Sequence, residues 1–198
     1  MSLFGSVFLG MEGTYHINGI KIEFKENNTP VKRVFGESWF GYSVSCLLNN
    51  SAFKILSFTY LHLFVHEMGH SLAGQMMGRC KPEICIDTLS GTGCAYVGGN
   101  SSIIDLAGPL AGITLEVAKL VGAVSLAVLL PTPIGLPLGL FLGFGASFLL
   151  FGELMYAFIA QGGDWTSIAS NGTLDLVLSY LIIFGVITAG CCAVIAIL

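Results

Sequence analysis

The chain has 198 residues, of which 54% are hydrophobic and only 10% charged, against about 25% charged in a typical soluble protein. That composition excludes an ordinary water-soluble domain, and its 26 glycines fit membrane helices, where glycine is frequent. Eight basic residues against twelve acidic ones, a net charge of -4, leave no basic face for gripping phosphates, so nucleic-acid binding is excluded as well.

In chain order, Met1 to Met11 lacks the positively charged start of a signal peptide and is expected to be retained. Residues 1–50 are expected to form an amino-terminal region and residues 51–198 a transmembrane domain. Within the first, Tyr15 to Phe24 alternates apolar and polar residues around Asn18-Gly19, the preferred two-residue hairpin turn. Trp39, Phe40 and Tyr42 suit an interfacial aromatic belt or a short surface-lying segment.

A bilayer core of about 30 Å takes some 20 apolar residues of helix. Four runs qualify, at about 52–77, 103–130, 136–160 and 174–198. Between the first two, Glu83 to Asp87 and Cys94 to Val97 flank a Ser90-Gly91-Thr92-Gly93 turn, a second candidate hairpin. Cys80, Cys85 and Cys94 share this polar stretch, as three unrelated thiols, a disulfide or a metal site. Pro131, Pro133 and Pro137 mark a turn before the third run, and Gln161-Gly162-Gly163-Asp164 and Asn171-Gly172 interrupt the chain before the fourth. The expected fold is thus an all-α, multi-pass membrane protein of about four spans with small β-hairpin insertions. Lys21, Lys25, Lys32, Arg33 and Lys54 on one side of the first span, against Arg79 and Lys81 on the other, place both termini in the cytoplasm.

Inside the first run stands His66-Glu67-Met68-Gly69-His70. Residues four apart on a helix lie one above the other, so His66 and His70 offer two imidazole nitrogens to a single zinc ion. Glu67 is about 100° further round the helix, where it reaches a water at the metal without becoming a ligand. Composition alone would produce this pattern about 0.003 times in such a chain. Ionisable groups at lipid depth are costly and by default functional.

A catalytic zinc site commonly uses three protein ligands and one open position. Span counting brings Asp164 to the membrane face of the motif and makes it the expected third ligand, with Glu153 as the substitute. His62, one turn earlier on the same stripe, is expected to make a local hydrogen bond or to support a ligand. Glu116 and Lys119 are three apart and expected to neutralise each other, and Asp105 to sit in the first turn of the second span. Gly108-Pro109 and Gly112 allow a kink and close helix packing.

With these residues in view, the sequence resembles the site-2 protease family of intramembrane zinc metalloproteases. His66 to His70 matches its HExGH pattern, Gly108-Pro109 resembles its GP motif on the next span, and Asp164 resembles its third-ligand aspartate. The resemblance covers about residues 52–164. It implies a metalloprotease-like domain that binds Zn2+ and hydrolyses a peptide bond in or near a transmembrane segment of a protein substrate. Glu67 would be the catalytic base, His66, His70 and Asp164 the metal ligands, and Gly108 and Pro109 substrate contacts. The second candidate hairpin could offer a strand edge to an unwound substrate. The alternative is a catalytically inactive zinc-binding membrane protein that binds transmembrane partners.

Overall fold

A computed structural model describes residues 2–26, 50–79, 81–99, 101–159 and 163–198. Trp39, Phe40, Tyr42 and Cys80 lie outside the described residues. Helix α1 (Leu3–Leu9) starts where the Ser2 hydroxyl accepts from the Gly5 amide at 3.2 Å, satisfying one of the amides that a helix start leaves over. Strands β1 (Gly13–Ile17) and β2 (Ile20–Lys25) pair antiparallel around Asn18 and Gly19, at φ of 50° and 79°. Two consecutive positive φ values give a turn whose twist matches that of the flanking strands.

The first apolar run is two helices, α2 (Ser51–Leu56) and α3 (Thr59–Met76), rather than one continuous span. The Ser57 hydroxyl turns back to the Phe53 carbonyl oxygen at 2.7 Å, and Phe58 takes a φ of 57°, which a bulky side chain adopts only under tertiary constraint. The 18 residues of α3 cover about 27 Å at 1.5 Å each, and three histidines and a glutamate interrupt its apolar character. Among the described residues three helices are long and apolar enough to cross a membrane: α4 (Ser102–Leu129), α5 (Thr132–Ile159, over Thr132–Met155) and α7 (Thr173–Ile197). Three of the four expected spans are therefore such helices, and the first is not.

Strands β3 (Glu83–Asp87) and β4 (Thr92–Tyr96) form the second hairpin. The two hairpins were expected as separate insertions, but they join in one sheet of order β1-β2-β3-β4, with β2 and β3 parallel. A parallel pair needs a long crossover, and the chain from β2 to β3 passes through α2 and α3. Alternation supplies the driving force: Ile20, Ile22 and Phe24 of β2 and Ile84 and Ile86 of β3 are all buried on one face, under Tyr60, Phe64 and Met68 of α3. Each such side chain contributes about 1.5–3 kcal/mol on burial. Lys54 ties down the β3–β4 turn, its ammonium donating to the carbonyl oxygens of Thr88 and Leu89 at 2.9 and 2.6 Å.

Helix α4 is the central post, packed against α3, α5 and α7. Its buried stripe is Ile104, Gly108, Pro109, Gly112, Ile113, Glu116, Lys119 and Ala123, small or polar where α3 approaches. Pro137, expected in the turn, lies inside α5, close enough to the helix start that the bond lost with its missing N–H is one of the first. The expected interruption around Asp164 contains a nine-residue helix, α6 (Gly163–Asn171), anchored by Trp165 and Ile168 in a core with Ile113, Ala157 and Ile183. Asp105 sits in the first turn of α4 and accepts from the Ser167 hydroxyl at 2.6 Å, tying α6 to α4. Leu138, Leu140, Phe144 and Phe151 of α5 and Leu174, Leu181 and Phe184 of α7 are exposed. Outward apolar faces on helices of this length are consistent with a membrane protein.

Candidate metal centre

Helix α3 presents His62, His66 and His70 as one stripe, with the rings of His66 and His70 5.1 Å apart. The stripe faces α4 at unusually short range. A β-carbon on Gly108 would overlap the His70 imidazole, and one on Gly69 would overlap the Ala107 carbonyl. Because the two glycines let the backbones approach, His70 Nδ1 reaches the Ile104 carbonyl oxygen at 2.6 Å. A carbonyl only accepts, so Nδ1 carries a proton, and in the neutral ring Nε2 keeps its lone pair.

Asp164 arrives from α6. Gly163 takes a φ of 61°, open to glycine without strain, and Asp164 occupies the first turn that follows. Its Oδ2 lies 3.0 Å from His66 Nε2 and 3.2 Å from His70 Nε2. Its side chain is 28% exposed, against 13% for His66 and 6% for His70, so the cluster opens to the surface on the Asp164 side.

Glu153 arrives from α5 and contacts the same stripe from the other side. Its Oε1 lies 2.9 Å from His66 Nδ1 and 3.1 Å from His62 Nε2. His62 Nδ1 in turn lies 2.9 Å from Glu116 Oε1, and Lys119 Nζ is 2.6 Å from Glu116 Oε2. Two groups among the described residues could therefore hold a metal ion: His66, His70 and Asp164, and His62, His66 and Glu153. Both residues considered as third ligand touch His66, through different ring nitrogens.

Glu67 is buried and faces β4, where a β-carbon on Gly93 would stand 2.7 Å from Glu67 Oε1. Sequence reasoning missed Gly93, whose signal is visible only once β4 is laid over α3. Gly93→Ala is expected to crowd this carboxylate and to lower stability by about 1–3 kcal/mol. Thermal unfolding of the two proteins checks it, and an unchanged midpoint would show that β4 does not confine Glu67.

Gly108 and Pro109 are both buried. The role visible for Gly108 is packing against His70. Cys85 and Cys94 stand opposite each other in the β3–β4 register. Since Ile84, Ile86 and Gly93 face α3, strand alternation puts this pair on the other face of the sheet, away from the histidines. Burial, together with Cys94, pushes the Cys85 thiol up.

Comparison with protein-family models, with curated proteins and with solved structures gives no match.

Proposed function

We propose that this chain is a multi-pass intramembrane zinc metalloprotease, of the kind the site-2 protease resemblance implies, hydrolysing a peptide bond within or near a transmembrane segment of a membrane protein. The observation that carries it is the convergence of His66 Nε2, His70 Nε2 and Asp164 Oδ2 beside a buried glutamate. The donor set fits zinc. A tetrahedral ion with bonds of about 2.0–2.1 Å separates its donor atoms by roughly 3.3 Å, near the 3.0 and 3.2 Å between the aspartate oxygen and the two nitrogens. The Nδ1 atoms of both histidines face acceptors, Glu153 and the Ile104 carbonyl, so each ring, when neutral with its proton on Nδ1, turns its Nε2 lone pair to the shared position.

When bound, zinc supplies Lewis acidity, polarising a carbonyl and making water more acidic. His66, His70 and Asp164 would hold it. Glu67 takes the proton from the attacking water and returns it to the leaving amine nitrogen. A helical substrate hides its carbonyls in backbone hydrogen bonds that lipid cannot replace, so unwinding needs a partner. β4 is the last strand of the sheet and packs on α3, which suits it to pair with an extended segment. An edge role falls to β4 and not to β3, since β3 is paired on both sides.

The test is reconstitution in liposomes with a panel of single-span substrates. Chelation is expected to abolish cleavage and added zinc to restore it. A zinc-loaded protein that cleaves nothing in the panel would favour the catalytically silent zinc binder.

A further inference from the structure

The proposed protease site accounts for His66, Glu67, His70 and Asp164, but leaves unexplained four ionisable side chains behind them, three buried and Glu153 only 11% exposed. They form one string across three helices: Lys119 and Glu116 on α4, His62 on α3 and Glu153 on α5. Burying four such groups among helices with lipid-suited outer faces is costly unless each is paired. Here each is paired, and the charges alternate. Both ring nitrogens of His62 face carboxylate oxygens, which only accept, so His62 donates on both sides. Lys119, Glu116, His62 and Glu153 then neutralise one another in sequence.

We infer that this string is a device for holding the metal ligand His66, with Glu153 the positioning residue that accepts its Nδ1–H. The string ends on that bond, 2.9 Å long. A carboxylate there fixes which nitrogen of His66 bears the proton, sets the ring's rotation and makes Nε2 a stronger donor to a cation. Glu153 Oε1 is itself held in place by His62, and His62 by Glu116. His70 receives the matching service from the Ile104 carbonyl, so each metal-facing imidazole has its Nδ1 committed. His66 Nδ1 cannot donate to Glu153 and also ligate an ion in the His62–His66–Glu153 group. Glu153 is accordingly an orienting carboxylate and not a third ligand.

This inference rests on the metal being held by His66, His70 and Asp164, and its test separates the two. Cobalt is substituted for zinc in the full-length protein in detergent, and its visible absorption spectrum and its affinity are measured for wild type, Glu153→Ala, Glu153→Gln, His62→Ala and Asp164→Ala. Glu153→Ala is expected to bind roughly 10–100-fold more weakly with the wild-type ligand-field pattern, since no ligand is lost. Glu153→Gln keeps an acceptor oxygen for Nδ1–H and is expected to recover most of the affinity; that rescue is not expected from a general loss of packing. His62→Ala is expected to weaken binding less than Glu153→Ala, and Asp164→Ala to change the spectrum itself. Wild-type affinity in both Glu153 variants overturns the inference and leaves the protease proposal standing. A changed spectrum in Glu153→Ala with none in Asp164→Ala makes Glu153 a ligand and overturns it too. Failure of the wild type to bind metal at all removes both.

Discussion

Glu67→Gln is expected to lower cleavage by about 10²–10⁴-fold while leaving the zinc content at the wild-type level. The amide has the shape of the carboxylate but cannot take up the proton that an attacking water must lose. Glu67 stands outside the cluster formed by His66, His70 and Asp164, so removing its charge takes no ligand from the ion. The loss corresponds to roughly 3–5 kcal/mol of barrier, within the range for a positioned acid–base group. A timed cleavage assay on purified protein, with metal measured on the same sample, checks both halves. Wild-type activity in Glu67→Gln would remove it from the mechanism, and equal inactivity of wild type and variant would support a binding protein.

Gly108→Ala is the second large effect. In most helices the exchange is favourable by about 0.8–1.0 kcal/mol, but at this position the new methyl group would occupy the space of the His70 imidazole. The ring must swing away, losing the bond to the Ile104 carbonyl and the approach of its Nε2 to Asp164. Zinc affinity is expected to fall by more than the roughly 10–100-fold typical of a change beyond the ligands, because a ligand itself is displaced. Gly122→Ala on the same helix is the control. Its nearest neighbour would be Leu142 Cδ2 at 3.8 Å, an ordinary contact, so this variant should keep its metal and be no less stable. Competition against a zinc chelator measures both, and equal affinities would show that the close approach of α3 and α4 is not what seats His70.

The clustering of His66 and His70 was legible in the sequence because it is written in a short spacing. His66, Glu67 and His70 need only the helical repeat to be placed, and the apolar lengths of α4, α5 and α7 follow from the thickness of a bilayer. Asp164 could be brought to the motif by counting spans, although the nine-residue α6 that carries it read as a loop. What escaped depends on contacts distant in sequence. The parallel pairing of β2 with β3 leaves no local mark, since each strand alone reads as half of an ordinary hairpin. The break at Phe58 has no glycine or proline to announce it. Choosing between Glu153 and Asp164 as one ligand overlooked that an imidazole has two nitrogens: Asp164 meets Nε2 of His66 and Glu153 meets Nδ1.

The central claim is that zinc is held by two imidazoles a helical turn apart together with a carboxylate from α6. X-ray diffraction at the zinc absorption edge on crystals of the metal-loaded protein tests it most directly. The predicted result is one anomalous peak about 2.0–2.2 Å from His66 Nε2, His70 Nε2 and an Asp164 carboxylate oxygen. A peak seated between His62, His66 and Glu153, or no peak near these residues in a protein shown to be loaded, would contradict the account.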